Sequence, residues 1–517
     1  MVARDGDEVP GMIAKVLRSR GVPESAISII PDEQEAIDAA LHMGKQGDLL
    51  LIFADALARS WKQVTKFRPA AAPASAATAA APKTAKPIND ASTAENDDQA
   101  LSSDAVAAGR IVAIGKAHSD FAANRVIEAA GLVVAPGLVD LAARLREPGQ
   151  EHEGMLESEL AAAAAGGVTS LVCQPDTDPV LDEPGLVEML KFRARKLSRC
   201  RLFPLGALTR SLAGTTLTEM SQLTEAGCVG FAQVDAPVAD TLVLMRAMQY
   251  AATFGYTVWL RPHDLWLGKG VAAAGPVATR LGLSTVPVAA ETIAMHTLLE
   301  LVRLTRVRLH LCRLSSAAGV ALLRAAKAEG LPVTADVSIN SLHLTDVDIG
   351  YFNADMRLTP PLRQGSDRTA LREALADGVI DALVSDHNPV AEDMKNLPFG
   401  EAEPGATGLE LLLSLALRWG NDSGLPLPQT LARVTSDPVR VLGDSIGSLA
   451  SSAGRLTEGG VADVCIFDAA AQWAVKADVL CSQGKHTPFA FTSTGMALPG
   501  RVRATLVAGT LAYDQLG

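Results

Sequence analysis

The chain has 517 residues, with 46 Lys and Arg against 58 Asp and Glu, for a formal charge of −12. That acidic balance argues against nucleic acid or an anionic membrane as a partner, because both select a basic surface. With 48% hydrophobic and 20% charged residues and no run of about 18 uncharged apolar residues, the composition is that of a globular protein without a membrane span. Met1–Pro10 has three acidic residues and no apolar core, so it does not read as a secretory signal. The six cysteines contain no C-x-x-C pair and read as small buried residues of a cytoplasmic protein.

The first predicted module, within residues 1–68, reads helix, strand, helix, strand over Met12–Phe67. Its second helix opens at Pro31-Asp32-Glu33-Gln34-Glu35, with acids in the first turn where the helix dipole favours them, and Leu49–Phe53 forms an apolar strand. The wording from Ile30 to Ile37 and from Gly47 to Asp55 resembles the C-terminal end of Mur-ligase-type enzymes, cyanophycin synthetase in particular. No phosphate-binding glycine loop accompanies it. The resemblance therefore implies a docking remnant and no ligase activity. Residues 69–104 follow as a linker: Pro69–Pro87 is dominated by Ala and Pro and lacks Leu, Ile, Val and aromatics, and cannot bury enough surface to order itself.

From Ala105 onward, strands alternate with helices. Apolar runs ending in polar residues stand at Leu138–Leu145, Ser170–Gln174, Leu202–Leu208, Gly230–Val234, Thr257–Arg261, Arg308–Ser315, Pro332–Ser338 and Ala382–Asp386. Eight such units over residues 136–456 predict an α/β fold, a (β/α)8 barrel whose site lies where the strands end. Short strands around Gly109–Gly115, Val126–Val134, Ala462–Asp468 and Val502–Val507 predict a composite β-sandwich built from residues 105–135 and 457–517.

Several phrases now match one family in order: Ala135-Pro136-Gly137-Leu138-Val139-Asp140, Arg144-Leu145-Arg146-Glu147-Pro148-Gly149, Gln174-Pro175-Asp176-Thr177, Pro360-Pro361-Leu362-Arg363, Ser385-Asp386-His387-Asn388-Pro389 and Gly408-Leu409-Glu410. Together they resemble type I dihydroorotases of the cyclic amidohydrolase group. The resemblance implies a barrel with a composite sandwich and, in active relatives, two zinc ions that activate water while a carboxylate moves protons.

The metal ligands that the resemblance calls for are not at their places. Ala142 and Arg144 stand where the first strand carries its two histidines, and Gln233 and Val234 where the fourth supplies a bridging carboxylate or modified lysine. Arg261 and Arg313 replace the fifth- and sixth-strand histidines. A guanidinium keeps its proton and repels a cation. Asp386 alone matches the catalytic acid, and Arg146 matches the arginine that grips the substrate carboxylate, with Asp176 where an amide normally assists it. Asp235 and His263 are the candidates for relocated ligands; the bland reading of His263, as of the other histidines, is a surface or supporting role. For Arg146 the bland reading is a salt bridge to a local acid such as Asp176.

No metal cofactor is expected from this pattern. Arg144, Arg261 and Arg313 are expected to converge and to pair with Asp386, Asp264, Asp176 or Asp336, either as a structural network or as an anion pocket. The resemblance further implies a role in pyrimidine biosynthesis as a non-catalytic homo-oligomeric partner that assembles aspartate carbamoyltransferase. The alternative is an active hydrolase that opens the dihydroorotate ring.

Overall fold

The parallel strands that follow Gly137 are buried at most positions, as expected of strands covered on both faces. The computed structural model describes residues 105–115, 121, 123–490 and 497–516; the predicted N-terminal module and linker lie outside them. Seventeen strands occur among these residues. β1 (Ala105–Ala107) and β2 (Arg110–Ala113) form an antiparallel pair, and β3 (Val133–Pro136) leads into β4 (Leu138–Ala143), which is buried at every position. Then come β5 (Val168–Cys173), β6 (Arg201–Pro204), β7 (Gly206–Ala207), β8 (Phe231–Ala232) and β9 (Thr257–Leu260).

A small parallel pair, β10 (Ala272–Ala273) with β11 (Thr285–Val286), precedes β12 (Arg308–Leu311), β13 (Val333–Ser338) and β14 (Ala382–Val384). β6 pairs with β5, and β7 pairs with β8, so Arg201–Ala207 acts as one strand interrupted at Leu205. The ladder runs β4-β5-β6 and β7-β8-β9-β12-β13-β14. It closes where Ala143 bridges His387 and the Arg144 amide donates to the His387 carbonyl at 2.8 Å. The result is the predicted eight-stranded parallel barrel.

Helices fill the connections. Asp240 caps Thr241–Phe254 by accepting from two backbone amides, and Ser316 caps Ala317–Ala328 by accepting from Gly319. Three predicted strands end early for one physical reason. Val234 (φ 52°), Arg313 (φ 54°) and Asp386 (φ 49°) are left-handed, which breaks the extended path after Ala232, Leu311 and Val384. Inside the barrel, Val139, Leu141, Val172, Leu205, Ala232, Trp259, Cys312, Ala382 and Val384 pack as one cluster.

The flanks share a second sheet. β15 (Val464–Ala474), β16 (Ala497–Val507) and β17 (Thr510–Asp514) are antiparallel, and β15 pairs with β3 on its other edge. No helix among the described residues is long and apolar enough to cross a membrane.

Candidate functional site

At the strand ends, three arginines meet one carboxylate. Arg144, just past β4, donates from Nη2 to Asp235 Oδ2 at 2.7 Å and from Nε to Asp176 Oδ2 at 2.6 Å. Arg313, past β12, donates from Nη2 to Asp235 Oδ1 at 2.7 Å, and Arg261, past β9, donates from Nε to the same oxygen. Arg313 Nη1 also reaches Asp386 Oδ1 at 3.3 Å and the Thr359 carbonyl at 3.1 Å. The arginine side chains are only 6–8% exposed, while Asp235 keeps 32% of its side chain open.

The left-handed turns at Val234, Arg313 and Asp386 direct these side chains. Each such non-glycine turn costs about 1–3 kcal/mol and persists only where its surroundings hold it. Asp336 supplies one hold, its Oδ1 accepting from the Arg313 amide at 2.6 Å. Electrostatics follows the geometry. Burial alone would raise the Asp235 carboxyl, but Arg313, Arg261 and Arg144 hold it well below the usual carboxylate range. For Asp386 burial prevails over Arg313 and Arg144, and its carboxyl is raised.

These positions do not fit a two-zinc centre. Ala142 offers no donor atom, and the guanidiniums of Arg144, Arg261 and Arg313 stand where cationic ligation would need neutral nitrogens. Gln233 accepts from Thr209 Oγ1 at 2.9 Å and donates to the Leu212 carbonyl at 2.8 Å; Val234 is buried in the apolar barrel cluster. Neither Asp235 nor His263 belongs to a metal-capable group among the described residues. The group found there is His310, Cys312 and Asp336, fully inside the barrel. Both ring nitrogens of His310 are already engaged, Nδ1 with Thr334 Oγ1 at 2.8 Å and Nε2 with Asp336 Oδ2 at 2.9 Å.

The remaining predicted residues have structural partners. Arg146 (φ 63°) pairs with Glu153 Oε2 at 2.8 Å and Glu403 Oε1 at 3.4 Å, and donates to the Pro389 carbonyl at 2.9 Å. Its expected local acid, Asp176, binds Arg144 instead. Two acids expected in the arginine network also lie elsewhere. Asp264 accepts from the Trp266 and Leu267 amides, and Asp336 takes the Arg313 backbone and His310. Asp235 takes the place expected for them, because the turn at Val234 brings it to all three guanidiniums.

Three buried carboxylates escaped the sequence reading. Glu159 binds His387 Nε2 at 2.8 Å, Ser482 Oγ at 2.6 Å and the Gln483 amide at 2.9 Å. His387 Nδ1 in turn accepts from the Gly408 amide at 3.1 Å. Gly408 is required there, since a Cβ would lie 2.4 Å from the Ser385 carbonyl oxygen. Glu291 accepts from the amides and hydroxyls of Ser315 and Ser316. Asp140 accepts from the Ser385 amide at 3.0 Å and from its hydroxyl, and burial pushes its carboxyl up to about 6. Asp140 lay in a quoted motif; Glu159 and Glu291 sit in helices whose sequence carries no local mark.

A closed parallel barrel with polar strand ends and a sheet shared by both flanks is the architecture of an amidohydrolase. A dihydro-orotase-like family model matches residues 131–318, and an amidohydrolase family model matches residues 292–512. A dihydroorotase-like protein of Pseudomonas aeruginosa is 44% identical over 410 residues, covering 79% of this chain and 94% of that protein. A dihydroorotase of Anaeromyxobacter dehalogenans is 38% identical over 394 residues, covering 76% and 88%. Among solved structures, an L-hydantoinase (dihydropyrimidinase) from Arthrobacter aurescens superposes with a TM-score of 0.70 at 25% identity, covering 80% of this chain and 92% of that one. The chain belongs to the amidohydrolase family, and within it is dihydroorotase-like.

Proposed function

We propose that this dihydroorotase-like protein is a non-catalytic subunit of pyrimidine biosynthesis that assembles aspartate carbamoyltransferase, needs no metal cofactor and works in the cytoplasm as a homo-oligomer. The observation that carries the loss of catalysis is the clustering of Arg144, Arg261 and Arg313 on Asp235. Hydrolysis of a cyclic amide needs an activated water and a polarised carbonyl. Here the strand ends present three guanidiniums that already engage the nearby acids. Asp386, the one retained catalytic position, is tied to Arg313. The partner rests on the resemblance to metal-ligand-less dihydroorotase-like proteins.

Two measurements on the full chain test this reading. Co-expression with the transcarbamoylase should give one co-eluting complex, and the purified chain should carry well under one equivalent of zinc and open no dihydroorotate. Separate elution at micromolar concentration would remove the assembly role. The rival reading, an active cyclic amidohydrolase, draws on the similar proteins named dihydroorotase. Turnover that disappears in Asp386→Ala would establish it.

A further inference from the structure

Beside the arginine cluster lies a small pocket of about 30 Å³, lined by Arg261, Arg313, Arg357 and Arg363 together with His263 and Glu291. Its guanidiniums are unevenly balanced. Arg313 is engaged at both terminal nitrogens, with Asp235, Asp386 and Thr359. Arg363 donates from Nε to Ser315 Oγ at 2.8 Å, and that hydroxyl donates to Glu291 at 2.6 Å, so its charge is compensated through one intervening group. Glu291 itself is turned to the four donors of Ser315 and Ser316.

Arg357 differs from all of these. It pairs with no carboxylate among the described residues; its one hydrogen bond is from Nη1 to the Val271 carbonyl at 3.4 Å, and its buried Nε has no partner. Burial lowers Arg357 with no acid to counter it. Arg261 engages only Nε, which leaves its two terminal nitrogens without partners among the described residues. The surroundings are cationic enough to act on His263, which burial and then Arg261 push down to about 4. A guanidinium withdrawn from water with uncommitted N–H groups is costly unless a counter-charge meets it.

We infer that this pocket binds one carboxylate group of a small acid, held by the uncommitted N–H groups of Arg357, Arg261 and Arg363. The pocket is small, about 30 Å³, which favours a planar carboxylate over the bulkier tetrahedral phosphate or sulfate. A guanidinium fork matches that shape. The site is separate from Arg146, which donates to Pro389, Gln150 and Glu403 and lies in an ion pair with Glu153. It holds whether or not the protein hydrolyses anything, so its test is independent of the assembly role.

The test is a titration of ¹³C-formate into the full chain at constant ionic strength, read by formate line width. Saturable broadening at one equivalent is expected, displaced by acetate and unaffected by chloride. Arg357→Gln should weaken binding by about tenfold or more, the effect of losing a charge-assisted hydrogen-bonded partner. Broadening that does not saturate, or that Arg357→Gln leaves unchanged, overturns the proposal. Displacement by sulfate as readily as by acetate overturns the carboxylate assignment. Should the variant fail to fold, the wild-type titration and its competitors decide the question alone.

Discussion

Two carboxylates near the barrel mouth, one partly exposed and one buried, are satisfied in opposite ways. Asp235 sits among three full positive charges, Arg144, Arg261 and Arg313, and remains a third exposed. Glu291 is 4% exposed and accepts from four neutral donors, the amides and hydroxyls of Ser315 and Ser316. The serines are fixed by the backbone at a helix start, so Glu291 costs little extra ordering. The arginines are long side chains from three separate strands, and without Asp235 they would repel one another. One carboxylate completes a local turn; the other is a counter-charge shared by three separate strand ends.

The first prediction breaks the charged arrangement. Asp235→Ala should cost about 3–5 kcal/mol, the range for removing one side of a buried ion pair, measured as a shift in the urea midpoint. Because the three arginines depress the Asp235 carboxyl, its contribution is complete above the unfolded value of about 4 and fades only as pH falls through the lower folded value. The variant's deficit should therefore stay level from pH 7 to about 4 and close only below that. A deficit that already shrinks between pH 7 and 5 would show that Asp235 is not held as described.

Asp140 sharpens the comparison from the other side, since it accepts from the Ser385 amide and hydroxyl and the Ala142 amide and has no ion pair with a Lys or Arg among the described residues. Its carboxyl is raised to about 6, so its ionisation opposes folding. As pH rises from about 4 to 6 the wild type should lose up to about 3 kcal/mol through this group. Asp140→Asn should lack that part of the slope, which chemical denaturation at a series of pH values will show.

Smaller effects follow where dipoles replace charges. Glu291→Gln keeps the shape but leaves part of the Ser315–Ser316 donor set unmet, and should cost about 1–3 kcal/mol; an effect as large as that of Asp235→Ala would erase the distinction drawn above. Smallest of all, Arg324→Ala removes an ion pair whose members are 55% and 58% exposed. It should move stability by about 0.5 kcal/mol or less.

Much of this architecture was legible in the residues. The eight strands are short apolar runs with polar ends, and parallel strands covered on both faces leave that signature whatever the side chains at their tips. The arginines were legible because each occupies a strand end. Asp176 and Asp386 were expected partners and do pair with Arg144 and Arg313, but the counter-ion shared by all three arginines was not legible, because Asp235 reaches them only through the turn at Val234. A β-branched residue gives no hint of a left-handed conformation, unlike a glycine. The partners of Arg146 were hidden for another reason: Glu403 lies on a loop far along the chain, and its approach depends on packing that no local pattern encodes. Residues in the helical connections, such as Glu159, look like ordinary solvated acids until the fold turns them inward.

The pairing of β3 with β15 has a consequence for how the protein is made. The barrel is a long excursion between two strands that end up side by side. The partner of β3 is therefore synthesised only after the barrel strands, and β17 follows it. Removing Thr510–Asp514 would thus strike the beginning of the described fold as well as its end, because β16 and β15 carry its effect across the sheet to Val133–Pro136.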